Sequence, residues 1–543
     1  MKYGNTTLGC VGNFKESKQY SNSNYDLPNI CLLVDNEVKF GASEERFSKV
    51  KNDSRSVSMA LENMMQMVFN RSPYDIKTII DNIDPEICEI DTELKGDIQH
   101  HLTHAYSAFY TSGFVDSLVF VCDGYGSDIV DGQEVCASMS MYFFQIGQRP
   151  ILIKQFDKEE SICIPYREFA NLCFDTPEVD LVRGRRSFHE GKLMGLSAYG
   201  KDLGWRVANF ENGKVHVDYK ILEKMRSSTI SLSLFEKADI ATTIQKNFEE
   251  IFLIVLKYCV ELAKQQGYTS KNLCLSGGGI LNCPTNDLVC KSNLFKHYWA
   301  TPDPADSGNS IGKAYYLKEQ VDGVVLPNKL LHPYLGCCYG DEYLSDTEGL
   351  QKIEGTIENF LYSLLSQDDI VVLWFDGGAE FSPRALGHRS MLGNPSRKTM
   401  HQMLNIIKDR EQWRPIAPIV PDVLMDEIFE NVENKDLFDF MLRTAIIKEE
   451  WRSKIPAVCH WDNSTRPQIL RKKTNPTIYN TIMRLWKEQR IPCICNTSLN
   501  LGGYPMVETP YDAFEIMKVK GNEGIKMCLI FNQKYFISNF KIK

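Results

Sequence analysis

No apolar run in this chain exceeds Ile251–Leu256. That is far short of the roughly 20 residues that cross a bilayer, so neither a membrane span nor a membrane partner is expected. Low-complexity tracts are missing, and the opening MKYGNTTLGCVGNFKESK lacks the apolar core of a signal peptide, which predicts a cytoplasmic protein. Excess positive charge is absent too. A formal net charge of −9 weighs against a surface for nucleic acid. The 17 cysteines are odd in number and follow no disulfide or zinc framework. Cys337-Cys338 and Cys493-Ile494-Cys495 therefore read as small buried hydrophobes of a reducing compartment. Neither a P-loop lysine, nor GxGxxG, nor HExxH occurs, and histidines number only 10.

What is present is a globular composition, 43% hydrophobic and 24% charged over 543 residues, long enough for two or more domains. One stretch, 376–421, reverses the overall sign of charge. Between Arg384 and Arg414 it carries Arg384, Arg389, Arg397, Lys398, Lys408, Arg410 and Arg414 against only Asp409 and Glu411. A solvated charged face is the ordinary reading of such a run. The compact wording SPRALGHRS, with its small residues, points instead to a shaped pocket for a phosphate-type polyanion.

Upstream, ICLLVD, a turn at Asn36-Glu37, VKFGAS and EERFSKVK predict a β-hairpin running into a helix, the opening of an RNase H-like unit. SLVFVCDGYGSD predicts a strand ending at Asp123, with Gly124 and Gly126 letting the backbone approach a phosphate. In GDIQHHLTHAYSAFY, His100 and His104 are four apart and share one helix face, as a two-histidine metal site requires. His101 is turned away by about 100°. Remaining ligands have acidic candidates in Asp123 and Asp306, each at a glycine-rich turn. SFHEGKLMGLSAYGK gathers Glu190, Lys192, Gly195 and Gly200, and an amphipathic helix is predicted over about 238–265. KNLCLSGGGILNCPTN reads as strand, Gly277-Gly278-Gly279 turn and helix start, with Asn282 and Asn286 on the first turns and backbone N–H groups facing a nucleotide. TPDPADSGNSIGKAYY repeats that theme. Several strand–glycine–helix units with acidic residues suggest a duplicated sugar-kinase or actin-like fold around a nucleotide.

Taken in order, HHLTHA, CDGYGSD, EGKLMGLSAYGK, SGGGILNCPTN, DPADSGNSIGKA, FSPRALGHRS, IKDREQWRPIAP, STRPQ and NTSLNLGGYPMVETP resemble the O-carbamoyltransferases of the nodulation-factor and tobramycin type. The resemblance spans roughly residues 30–535. It implies an α/β chain: a duplicated RNase H-like (ASKHA, actin-like) domain over 1–338, then a YrdC-like twisted α/β domain over 339–543. In such enzymes carbamoyl phosphate and Mg-ATP give carbamoyl adenylate and pyrophosphate in the second domain. The carbamoyl group then passes to a small hydroxylated acceptor, a sugar or natural product, in the first, and AMP leaves. The resemblance implies iron(II) or another divalent metal on His100, His104, Asp123 and Asp306. It implies a nucleotide near Gly124, Gly126, Lys192, Gly195, Gly277, Gly278, Asn282 and Asn309. Carbamoyl phosphate and ATP would meet Arg384, Arg389, Lys408, Arg414, Arg466, Asn496 and Ser498. His101 is expected either to polarise the acceptor or carbonyl, or to support the ligands. Fixed cations suit so much phosphate, each charge-assisted bond contributing about 1.5–3 kcal/mol. A homodimer is compatible with this reading and not required by it.

One departure concerns the acceptor. Family members carry LGxxxxHDxSAALLVDG near the start, whereas LGCVGNFKESKQYSNSNYDLPNICLLVD has no histidine, and Asp26 or Leu27 stands where the pair belongs. Lys15–Asn24 reads as a substrate-covering loop or a disordered insertion, and Lys49 and Lys51 as helpers for nucleotide or acceptor. A threonylcarbamoyl-type tRNA-modifying transferase would need a basic face and no RALGHR module. A nucleotide-binding regulator would not need the arginine cluster.

Overall fold

The computed structural model describes residues 6–11, 29–34, 36–49, 59–60, 63–64, 99–130, 133–174, 189–227, 232–344, 347–432 and 434–542. Lys15–Asn24, Asp26, Leu27 and Lys51 lie outside them. Two compact units divide the chain, one within Met1–Glu44 and Asn52–Leu330, the other within Glu45–Lys51 and Leu331–Lys543. The break thus falls at Leu330, a few residues before the expected 338, and a short piece after the first hairpin goes with the second unit. Among the described residues no helix is long and apolar enough to cross a membrane.

In the first unit, β1 (Thr6–Val11), β2 (Asn29–Val34) and β3 (Glu37–Ser43) form an antiparallel meander. The main sheet uses β4 (Asp116–Val130), β5 (Gln133–Gln145) and β6 (Ile151–Asp157). A small hairpin, β7 (Ala208–Glu211) and β8 (Lys214–Val217), precedes the last two sheet strands, β9 (Asn272–Ser276) and β10 (His297–Trp299). Spatial order is β10-β9-β4-β5-β6. The first three strands in sequence pair antiparallel and the last two join parallel on the other side of β4. That mixed order is the RNase H-like arrangement.

The parallel pairing of β4 with β9 needs a long crossover. Helix Leu234–Gln265 lies on that path, opened by a capping box in which Ser233 and Glu236 satisfy each other's backbone N–H groups. Its buried face includes Phe248, Phe252, Val255 and Leu256. Carboxyl ends of parallel strands are where open α/β sheets bind ligands, and here Asp123 and the glycines 277–279 stand at the ends of pairing between β4 and β9. The strand was expected to stop at Asp123; instead β4 continues through DGYGSD after an irregularity between Cys122 and Gly126. The interrupted ladder bends the backbone where the site lies.

The second unit is built on an eight-stranded sheet of order β11-β20-β19-β12-β13-β18-β14-β17. Its strands are β11 (Gln351–Lys352), β12 (Ile370–Phe375), β13 (Arg389–Gly393), β14 (Ala417–Pro421), β17 (Gln468–Leu470), β18 (Ile494–Ser498), β19 (Lys526–Phe531) and β20 (Tyr535–Ser538). A separate pair, β15 (Ala445–Ile446) and β16 (Ser464–Thr465), stands apart. IVVLWF of β12 is apolar at every position and buried at every position, as a central strand covered on both faces must be. Helices Ile357–Leu365 and Pro476–Gln489 contribute Leu361, Leu364, Leu365, Ile478, Ile482 and Leu485 to its core.

Candidate functional site

Helix His100–Tyr110 starts at the glycine-rich end of β4 and is buried along almost its whole length. Its periodicity sends His100 and His104 to one side, as expected. There they meet Asp123 from β4 and Asp306 from the 3₁₀ turn Asp306–Gly308, and one donor atom of each lies within 4.8 Å of the others. His104 Nε2 is 3.2 Å from His100 Nε2 and 3.1 Å from Asp306 Oδ1. His100 Nε2 is 3.3 Å from Asp306 Oδ1 and 3.4 Å from Asp123 Oδ2.

The supporting contacts orient these donors. Ser276 Oγ donates to the Pro304 carbonyl at 3.2 Å and so accepts from Nδ1–H of His104 at 3.3 Å. Nε2 of the same ring faces into the cluster, where Asn309 Nδ2 lies 3.2 Å away. The Gly278 N–H donates to the other oxygen of Asp123 at 2.9 Å. A Cβ on Gly126 would lie 2.1 Å from His100 Cδ2, and Gly277 (φ +94°) passes so close to Cys122 that a Cβ would meet its carbonyl at 2.2 Å. Only glycine fits at either position.

Electrostatics agree with a cation site. Burial works against the Asp306 charge, yet the hydrogen bonds of His100 and His104 outweigh it and hold the carboxyl far below its usual range. Asp123 is lowered as well: burial and Asp306 oppose its charge, and the same two histidines prevail. Two carboxylates and two imidazoles turned toward one point form a mixed N/O donor set suited to a divalent transition metal. These residues fit the implied ion.

The other sequence candidates divide. His101 is fully buried, its Nδ1 2.8 Å from Ser140 Oγ on β5, and burial, then His100 and His104, keep the ring neutral. Asn309 joins the cluster. Asn282 does not point into it: its Oδ1 caps helix Cys283–Lys291 through the Thr285 N–H, and its amide pairs with Gln245. Gly195 is buried inside helix Glu190–Leu196, and Lys192 lies 5.5 Å from the Phe174 ring. Sequence reasoning missed Arg167, whose guanidinium lies against Gly124 while its Nε bonds Glu190 at 2.9 Å. No motif flags it.

In the second unit the RALGHR loop is wound around one carboxylate. Glu380 Oε1 accepts from the backbone N–H groups of Leu386, His388 and Arg389 at 2.8, 2.8 and 3.1 Å. Arg384 is half-buried on this loop. Helix Lys398–Ile407 ends at Lys408, and Asp409 (φ +47°) turns the chain toward Arg410 and Arg414. Asn405 and His401 of the helix hold the Arg414 carbonyl at 3.1 and 2.9 Å. Lys408 Nζ reaches Ser498 Oγ at 2.9 Å and Asn500 Oδ1 at 2.5 Å. Asn496, on β18, ties back to the loop through the Ala385 carbonyl at 2.9 Å, and its Oδ1 is buried without a partner among the described residues.

Three guanidiniums crowd here. Burial, then the charges of Arg414 and Arg466, push Arg410 down to about 9, while Glu411 opposes them only weakly. Arg410 belongs with the expected cations, although only its neighbours were singled out as ligands. Arg389 is different: fully buried, it donates to the carbonyls of Asp376 and Gly377 at 2.7 and 3.0 Å and stacks 3.6 Å over Phe375. It serves the loop's shape. Lys49 is ion-paired with Asp512.

An α/β sheet with a buried two-histidine, two-aspartate centre, and a second α/β unit with an arginine-lined loop, together define the class. Residues 35–315 match the family model for the carbamoyltransferase N-terminus and 363–534 that for the carbamoyltransferase C-terminus. The chain belongs to the carbamoyltransferase family and is a transferase. Nodulation protein NolNO of Sinorhizobium fredii is 27% identical over 95% of this chain and 81% of its own. Nodulation protein NolO of Bradyrhizobium diazoefficiens is 28% identical over 79% and 77%, and nodulation protein U of Azorhizobium caulinodans 34% over 49% and 45%. Among solved structures, full-length HypF in the phosphate- and nucleotide-bound form aligns with 59% of this chain and 56% of its own, at 14% identity and a TM-score of 0.34. A likeness of that size says nothing about function.

Proposed function

We propose that this chain is an ATP-dependent O-carbamoyltransferase working in two half-reactions. In residues 339–543, a YrdC-like domain in this reading, carbamoyl phosphate and Mg-ATP give carbamoyl adenylate and pyrophosphate. In residues 1–338, an actin-like domain, a hydroxyl of a small sugar or natural product takes the carbamoyl group and AMP leaves. The observation that carries the reading is the crowding of Arg410, Arg414 and Arg466. Burial, then the charges of Arg414 and Arg466, lower the proton affinity of Arg410, and burial and Arg466 lower that of Arg414, so phosphate oxygens there would relieve a repulsion.

Arg384, Arg410, Arg414 and Arg466 clamp the phosphates in this scheme, and Lys408 braces Ser498 and Asn500 beneath them. The buried Oδ1 of Asn496 suits the amide N–H of a carbamoyl group, which would otherwise be desolvated without an acceptor. Arg389 keeps the RALGHR loop in shape. In the first domain His100, His104, Asp123 and Asp306 would hold iron(II) or another divalent metal, which supplies Lewis acidity beside the phosphate of a mixed anhydride. Gly124, Gly126, Gly277 and Gly278 let the metal ligands and their supports close up beside the adenylate, with Lys192, Gly195, Asn282 and Asn309 around it. His101, neutral and locked on Ser140, steadies the ligand helix.

The test is direct. The protein is incubated with ATP, carbamoyl phosphate and iron(II), AMP and pyrophosphate are measured, and hydroxylated acceptors are then screened by mass gain. Pyrophosphate release that ignores carbamoyl phosphate would sink the proposal.

A further inference from the structure

We infer that Asn309 is a fifth ligand for the divalent ion that His100, His104, Asp123 and Asp306 would hold, offering its side-chain carbonyl oxygen beside His104. The inference rests on the reading that this cluster takes a metal, and it extends the donor set.

The backbone explains why Asn309 stands there. The 3₁₀ turn Asp306–Gly308 is closed by the Asn309 N–H donating to the Asp306 carbonyl, and it runs straight into helix Asn309–Asp322. Residues three apart on such a turn eclipse one another, so Asp306 and Asn309 project to the same side. Asn29 on β2 clips the turn in place. Its Nδ2 donates to the Asp306 carbonyl at 3.0 Å, and its Oδ1 accepts from the Ser310 N–H at 2.9 Å. One turn further on, Gly312 lets the helix close onto helix His100–Tyr110, since a Cβ there would lie 1.9 Å from the Thr103 carbonyl oxygen. The first turn of one helix is thereby pressed against the His104 turn of the other.

Asn309 is 3% exposed, and its amide nitrogen lies 3.2 Å from His104 Nε2. Adjacent donors bonded to one first-row ion at about 2.0–2.2 Å stand about 2.8–3.6 Å apart. The histidine–aspartate donors keep that spacing, His104 Nε2 lying 3.2 Å from His100 Nε2 and 3.1 Å from Asp306 Oδ1. The Asn309 amide keeps it too. As the side chain stands, Nδ2 faces His104 and Oδ1 is buried without a hydrogen-bond partner among the described residues. A cation on His104 would take up the Nε2 lone pair and repel the amide N–H groups. Half a turn about χ2 exchanges the two amide atoms within the same outline and brings the oxygen to the ion.

Charge favours an amide over a further carboxylate. Asp123 and Asp306 already balance a divalent ion. A third carboxylate would leave the loaded site negative toward an incoming phosphate, whereas an amide oxygen adds a bond and no charge.

The experiment titrates cobalt(II) into the full-length protein against a competing chelator and records the visible bands of the bound ion. Asn309→Ala should bind cobalt(II) at least threefold more weakly than the parent, with bands changed in position or intensity. Asn309→Asp separates the two atoms of the amide, because it keeps an oxygen and lacks the N–H. A ligand predicts binding at least as tight as the parent, whereas a residue that only donates to His104 loses affinity in both variants. Should the thermal midpoint show that Asn309→Asp folds poorly, the affinity and bands of Asn309→Ala decide the matter. Weaker binding by a folded Asn309→Asp, or a loss of less than threefold or unchanged bands in Asn309→Ala, would overturn the assignment. A parent that binds no cobalt(II) overturns the metal reading and the assignment with it. A parent that binds the ion, with variants that fail these expectations, counts against Asn309 alone.

Discussion

The two arginine settings of the second unit make an instructive pair. Arg389 and Arg414 both lie in the cationic stretch 376–421, yet one is a fold residue and the other a ligand candidate. Arg389 is completely buried, its Nη1 and Nη2 donating to main-chain carbonyls and its face resting on Phe375. Arg414 is held firmly by its backbone carbonyl, while its partly exposed side chain has a 3.9 Å contact to Glu411 and lies beside the charge of Arg466. A buried guanidinium needs fixed acceptors; an exposed one held among like charges favours an anion from outside. The histidine–aspartate cluster shows the opposite polarity, with carboxylates held by imidazoles.

The largest expected effect breaks the pair apart. Arg389→Met removes the charge that faces buried Glu508 and Glu380, and should cost about 3–5 kcal/mol of stability, read as a fall in thermal midpoint. Arg414→Ala should leave that midpoint nearly unchanged and reduce carbamoyl-phosphate-dependent pyrophosphate release about 10²–10³-fold. Equal destabilisation by the two substitutions would erase the distinction.

The same contrast extends to the first unit. His104→Ala should lower metal affinity by at least about 100-fold, beyond the usual 10–100-fold for losing a supporting group, with pyrophosphate release retained. Metal analysis of the purified variant checks this. Gly126→Ala, which drives a methyl into the His100 ring, should cost about tenfold in metal affinity, because one ligand is displaced rather than lost. The smallest effect is on pH. Burial, then Lys398, push His401 from 6.5 to about 4. Between those values the unfolded chain takes up the proton and the folded one does not. Stability from this group is therefore lost as pH falls from 6.5 to about 4, by at most about 1.4 kcal/mol per unit. His401→Gln should flatten that slope in denaturant titrations.

Much of the site was legible in the chain because short spacings fix it. Four residues on a helix bring His100 and His104 to one face, and a glycine beside Asp123 marks a close approach. The hairpin, the long helix and the two glycine turns were predictable from periodicity for the same reason. Arg167 was not, because nothing in its own segment distinguishes it from a surface arginine; its partners, Gly124 and Glu190, are distant in sequence. Asn282, a nucleotide candidate, caps a helix, since an asparagine before a helix has both uses.

The sequence by itself determined which residue types the protein holds for its chemistry, a family-wide set of motifs, and the local geometry of each. Only the tertiary structure decided which of them meet. Sheet order β10-β9-β4 and the turn after β10 bring Asp123 and Asp306 to the same pair of histidines. It also decided which arginines are solvent-facing cations and which are buried struts. Burial and available acceptors set that fate, and both belong to the packed chain rather than to any stretch of it.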